Sequence, residues 1–251
     1  MKHESPKTAH TSEVVVDVRA CTKIYHQGEA SIHAVDNVSL SVRRGEFTVL
    51  VGPSGSGKTT LLNLIGALDA PDKGTLAIEG RDLGALSRSQ LALLRRDRIG
   101  FVFQAYNLIP VLSAAENTEF VLALQGQPPT KRRARALDVL KAVGLEGYQA
   151  RRPNQLSGGQ QQRVAIARAI APSPAIVLAD EPTANVDSET GERLLDLMEA
   201  LNRNEHATFL FSTHDPRVVA RAKRIITMKD GRVVADTTVP PDAHQGPPAP
   251  C

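Results

Sequence analysis

Residues Gly52 to Thr60 read GPSGSGKTT, and residues Asn154 to Ala169 read NQLSGGQQQRVAIARA. Each is a glycine-rich turn leading into a stretch that reads as a helix. Gly52, Pro53, Ser54, Gly55, Ser56, Gly57, Lys58 and Thr59 fit the pattern G-x-x-x-x-G-K-[ST], and Thr60 follows. The glycines let the backbone curl so that successive N–H groups point inward at phosphates. Lys58 brings a mobile positive charge, and Thr59 brings a hydroxyl able to reach Mg²⁺. A helix starting near Lys58 adds the positive end of its dipole. The later turn, built on Ser157, Gly158, Gly159 and Gln160, makes a second helix start suited to an anion. One chain thus offers two anion cradles.

Phosphate chemistry also needs a carboxylate for the metal and a base for water. The run AIVLAD ends on Asp180, placed to anchor Mg²⁺ at a buried strand end, and Glu181 follows where a general base could activate water. Neighbouring carboxylates in a loop are often plain surface charge; the apolar strand before them favours chemistry. His214 follows the apolar run TFLFST and so emerges at the carboxyl-end edge where such sheets bind ligands. Gln104 ends IGFVF, from where its amide can reach the metal or the water. Taken alone, either residue would be an ordinary strand-end side chain.

These residues must be held by a sheet with helices on it. Strands are expected at Val14 to Thr22, Val35 to Val42, Phe47 to Val51, Thr75 to Glu79, Ile99 to Phe103, Ala175 to Ala179, Thr208 to Ser212 and Arg224 to Met228. FTVLV and AIVLAD are continuously apolar, as central parallel strands buried on both faces require. Helices are expected at Lys58 to Ala67, Ser113 to Leu124, Lys131 to Val143, Gly158 to Ile170 and Glu189 to Arg203. The arginine-rich segment from about 85 to 156 reads as a helical subdomain inserted into an α/β core. Its basic cluster, Lys131 to Arg135, is expected on a solvated helix face, with acidic lipid headgroups as a second reading. Residues 1–13 read as a mobile segment, and 237–251 as a proline-rich tail.

Composition narrows the classes. The 251 residues suffice for one large α/β domain, and a net charge of +3 gives no reason to invoke nucleic acid. Two cysteines, Cys21 and Cys251, make neither a disulfide framework nor a metal-ligand spacing. No apolar run approaches the roughly 18 residues of a spanning helix, and the polar start is not a secretory signal.

Taken in order, the P-loop, Gln104, Leu156-Ser157-Gly158-Gly159-Gln160, the Asp180-Glu181 pair and His214 resemble the ATP-binding subunits of ABC transporters, over about Val14 to Asp236. The resemblance implies an α/β P-loop NTPase (RecA-like) core with an antiparallel β subdomain and an inserted α-helical subdomain. It implies ATP and Mg²⁺ as cofactors, with Thr59, Asp180 and Gln104 toward the metal and Glu181, His214 and Gln104 in catalysis. Tyr25 stands where the family stacks adenine on an aromatic ring; a buried strand-end tyrosine is the other reading. Ala184-Asn185-Val186-Asp187 departs mildly from the family's D-loop, which more often has Leu before the Asp, and this is expected to leave function intact.

The family also implies a head-to-tail dimer in which one copy's P-loop faces the other copy's LSGGQ, which accounts for the two cradles. IGALDAPDKG, IGFVFQAYNLIPVLSAAEN, LADEPTANVDS and STHDPRVVARAKRI look like the LolD/MacB/FtsE branch. That implies a peripheral subunit on the cytoplasmic face of the plasma membrane, powering an FtsX/MacB-like permease. Export or extraction of a lipoprotein, lipid or hydrophobic substrate is the leading expectation. The alternative is an FtsE-like signalling ATPase that moves a membrane partner without cargo. Residues Gln104 to Glu119 are the expected dock for that partner.

Overall fold

The computed structural model describes residues 13–28 and 30–240. Of the expected mobile start 1–13 and tail 237–251, residues 1–12 and 241–251, with Cys251, lie outside the described residues, and residues 237 and 238 correct the tail's start because they pair in the last strand. Two sheets share the chain. In the first, β1 (Val14–Gln27) pairs antiparallel with β2 (Ala30–Arg43) and β4 (Lys73–Ile78), and β5 (Arg81–Asp82) completes the edge. β1 runs past the expected end at Thr22 because register shifts, with Ala20 at φ 49°, absorb an irregularity and pairing then resumes.

The second sheet has the order β10-β9-β3-β8-β7-β6, formed by β10 (Arg232–Thr238), β9 (Arg224–Lys229), β3 (Phe47–Val51), β8 (Phe209–Ser212), β7 (Ile176–Asp180) and β6 (Ile99–Val102). All its pairings are parallel except β10 against β9. Alternate residues of the central strands enter two different cores. Val177, Ala179, Phe209 and Phe211 pack into one, and Ile176, Leu178 and Leu210 into the other. Both faces are therefore covered, which is why these strands read as unbroken apolar runs.

Helix α1 (Lys58–Ile65) and the antiparallel sheet share one core. The other core unites the sheet with α3 (Ala114–Leu124), α4 (Pro129–Ala142), α5 (Gly158–Ile170) and α6 (Ser188–Glu205). Helix α2 (Arg88–Arg98) opens the segment expected to be helical, and α7 (Pro216–Ala220) is a further helix beyond the expected ones. The basic cluster is only partly solvated. Lys131 and Arg133 are exposed, yet Arg132 and Arg133 approach Glu119 of α3 at 3.6 and 3.5 Å, and Arg135 donates to the Ala171 carbonyl at 3.2 Å. The cluster braces the helical subdomain. Among the described residues no helix is long and apolar enough to cross a membrane.

This topology brings the ends of β3, β6, β7 and β8 to one edge. The P-loop follows β3, Gln104 lies just past β6, Asp180 ends β7 and His214 lies just past β8.

Candidate active site

A cleft of about 750 Å³ opens at that edge. Its lining includes every P-loop residue from Gly52 to Thr60, together with Gln104, Glu181 and His214. The loop's shape is dictated by its neighbours. At Gly52 (φ 152°) a Cβ would stand 2.2 Å from the Met228 carbonyl oxygen, and at Gly57 (φ 97°) 2.1 Å from that of Ala34. Both obstacles are backbone, so neither position admits a side chain.

Lys58 is buried, and its Nζ donates to the carbonyls of Gly52 at 2.8 Å and Pro53 at 3.0 Å. Among the described residues it forms no ion pair, so its charge is available to an anion. The first turn of α1 holds no acidic residue to offset the helix dipole. On the cleft wall the buried Ser212 hydroxyl has no hydrogen-bond partner. A buried, uncompensated ammonium, an open helix start and an orphaned hydroxyl together fit a polyphosphate.

Thr59 Oγ1 donates to Asp180 Oδ1 at 3.3 Å, and both also line a small cavity adjoining the cleft. Among the described residues no group of three or more His, Cys, Asp and Glu side chains could hold a metal unaided. One carboxylate and one hydroxyl beside a phosphate cradle suit Mg²⁺, which completes its shell with phosphate and water.

Glu181 sits in the left-handed region at φ 46°, an uncommon conformation for a residue with a side chain. Its N–H donates to the Ser212 carbonyl at 2.8 Å, which ties the turn to the end of β8. One carboxylate oxygen lies 2.7 Å from His214 Nδ1, and the other accepts from Thr213 Oγ1 at 2.9 Å. The His214 side chain is 78% exposed, so this contact is its anchor on the cleft rim. Asp215, next along, accepts from the Arg217 guanidinium and from Thr183 Oγ1. Arg217 holds the Asp215 carboxyl down to about 2, against the opposing pull of burial, and Thr183 adds to the effect.

Besides Asp180, which lines the adjoining cavity, the structure keeps two groups of expected residues out of the cleft lining. Ser157, Gly158, Gly159 and Gln160 are not in its lining. Ser157 and Gln160 cap α5 reciprocally, the Gln160 N–H donating to Ser157 Oγ at 3.3 Å and the Ser157 N–H to Gln160 Oε1 at 2.9 Å. Gly159 has a packing reason that the sequence did not reveal, since a Cβ there would stand 2.2 Å from Thr190 Cγ2 of α6. Tyr25 also lies outside the lining, but its cross-strand partner Ile32 belongs to it. Tyr25 is 41% exposed, with its hydroxyl donating to Asp69 Oδ2 at 2.9 Å and Lys23 Nζ 5.4 Å from its ring centroid. It is an exposed ring beside the cleft mouth, so the buried strand-end reading does not hold.

The loop after Gln104 is gripped from two sides. Asn185 Nδ2 donates to the Gln104 carbonyl at 2.8 Å, and Arg168 of α5 donates to the carbonyls of Tyr106 and Asn107. Tyr106 and Asn107 both take positive φ, a strained turn that no sequence pattern announced.

Residues 35–184 match the family model described as ABC transporter. The chain belongs to the ABC transporter family. Relatives agree with this assignment. An ABC transporter ATP-binding protein of Methanocaldococcus jannaschii is 48% identical over 226 residues, covering 87% of this chain and 95% of that protein. The macrolide export ATP-binding/permease protein MacB of Rhodopseudomonas palustris is 44% identical over 228 residues, covering 91% of this chain but only 35% of its own length. A dimeric structure of an ATP-binding cassette, in a post-hydrolysis state bound to ADP and Pi, superimposes with a TM-score of 0.83 at 46% identity over 90% of this chain and 99% of that one. This ABC protein thus has the P-loop NTPase fold and is an ATPase of the transporter family.

Proposed function

We propose that this ABC ATPase binds MgATP between two copies of itself and uses hydrolysis to drive a separate membrane permease. The observation that carries the reading is the split between its cradles. P-loop, Glu181 and His214 line one cleft, with Asp180 bonded to Thr59 at its margin, while the Ser157–Gln160 helix start stands outside it. A second copy placed head to tail would bring its own helix start over the open side of the cleft, and the related cassette is a dimer. In this reading Lys58 and the P-loop amides hold the β- and γ-phosphates, and Tyr25 stacks on adenine. Thr59, Asp180 and Gln104 face the metal. Bound Mg²⁺ supplies charge neutralisation on the phosphates. Glu181 takes the proton of the attacking water, and His214 orients that water.

For the partner we propose a permease of the MacB/FtsX-like type, exporting or extracting a lipoprotein, lipid or other hydrophobic substrate, at the cytoplasmic face of the plasma membrane. MacB relatives join ATP-binding and permease functions by name. A groove of about 420 Å³ supports docking next to the Gln104 loop, with Phe101, Phe103, Ile109 and Phe120 on its walls and Arg95 and Arg168 among its polar residues. Apolar walls with guanidinium groups suit a segment carrying apolar and acidic side chains.

Two measurements test this reading. The purified chain should hydrolyse ATP only until EDTA is added. It should also be recovered with native membranes, and Phe120→Asp should abolish that recovery while leaving ATP binding intact. Hydrolysis unaffected by EDTA, or equal membrane recovery of the Phe120→Asp variant, would contradict it.

A further inference from the structure

The proposed base, Glu181, has two carboxylate oxygens, and the structure treats them differently. Oε1 faces His214, whose side chain is largely exposed. Oε2 faces Thr213, which is fully buried and anchored by its own N–H to the Leu50 carbonyl at 3.1 Å. The Thr213 hydroxyl also receives the Asp215 N–H at 3.0 Å.

This arrangement fixes the direction of every hydrogen. A backbone N–H can only donate, so Thr213 Oγ1 accepts from Asp215. An ionised carboxylate can only accept, so the single hydroxyl hydrogen of Thr213 points at Glu181 Oε2. A buried donor and a partly buried acceptor therefore meet in one orientation, with no rotameric freedom left to the hydroxyl. Asp215 is itself clamped by Arg217 and Thr183, so the N–H that sets this orientation does not wander.

We infer that Thr213 is a positioning residue for ATP hydrolysis, pinning Glu181 Oε2 so that Oε1 is the oxygen left for water once His214 turns to the nucleotide. The inference rests on Glu181 acting as the base. A base helps only when its accepting oxygen is within hydrogen-bond reach of the proton it takes. A glutamate in the left-handed region at the end of a strand has several side-chain rotamers open to it. The Thr213 hydroxyl selects one of them from the buried side.

The test compares Thr213→Val, Thr213→Ala and Thr213→Ser in the full chain, with folding checked by circular dichroism and ATP affinity by a fluorescent ATP analogue. Val and Ala should lower kcat by about 10-fold or more, a part of the 10²–10⁴ a positioned base supplies, with ATP affinity held within about twofold. Ser, which restores the hydroxyl, should recover most of the rate. In a Glu181→Gln background the Thr213→Val change should have no further effect on the residual rate. Wild-type kcat in the folded Val and Ala variants, or an equal fold-loss in the Glu181→Gln background, would overturn the role of Thr213. If Glu181→Gln alone kept wild-type turnover, the base assignment itself would fall, and Thr213 with it.

Discussion

His214 Nδ1 lies 2.7 Å from Glu181 Oε1, joining the residue after β7 to the loop after β8. Because a carboxylate accepts and does not donate, the imidazole presents N–H at Nδ1. The two residues proposed as base and water-orienting group are thus hydrogen-bonded to each other. In the proposed mechanism a γ-phosphate would offer His214 a second anion and would free Oε1.

Removing the base without removing its shape separates chemistry from binding. Glu181→Gln should bind ATP as the parent does and lose about 10²–10⁴-fold in turnover. Lys58→Ala should instead lose nucleotide affinity, because Lys58 brings the buried, unpaired charge of the cradle. Equilibrium binding of a fluorescent ATP analogue, alongside phosphate release, distinguishes the two.

Asp215 makes acid stability measurable. Its carboxyl is lowered from 3.8 to about 2 in the folded chain, so the unfolded chain binds the proton more tightly. The stabilisation is therefore complete above about pH 4 and is lost as pH falls through about 2. Its size is on the order of 2 kcal/mol. Urea midpoints should drop over that window for the parent, and Asp215→Asn should show a shallower drop from a lower starting stability.

The signature glycine should matter to packing before it matters to nucleotide. Gly159→Ala puts a Cβ into Thr190 Cγ2, and overpacking of this kind costs about 1–3 kcal/mol. Thermal unfolding should report that loss. Thr190→Ser deletes the obstructing methyl and should restore most of it in the double variant.

Much of this was legible because the physics is local. The continuous apolar runs of β3 and β7 follow from burial on both faces, and the P-loop spacing follows from how a backbone wraps phosphate. Helix α2 lies in the segment expected to be helical, but its bounds are not legible because its arginines mask periodicity and only Leu94 is buried. Its capping box, Ser87 with Gln90, was the available signal. Helix α7 likewise had a readable start in Asp215-Pro216. The edge strand β10 is mostly exposed, so no apolar alternation marks it. Thr213 carries no motif of its own. Its importance comes from three segments that meet only after folding, the ends of β3, β7 and β8. The clash behind Gly159 depends in the same way on α6, which the chain adds later.

The proposed function requires each nucleotide to be shared, held by the P-loop of one copy and the signature of the other. Two variants test it, one carrying Lys58→Ala and one carrying Ser157→Arg, both with Glu181→Gln to stop turnover. In either homodimer every site contains one damaged half. In a mixed dimer one site is whole and the other doubly broken. Size-exclusion chromatography in ATP should therefore show monomers for each protein alone and a dimer peak when the two are mixed. If the signature served the nucleotide of its own chain, mixing would rescue nothing. Absence of a dimer at any mixing ratio, with both variants folded, would contradict the shared site.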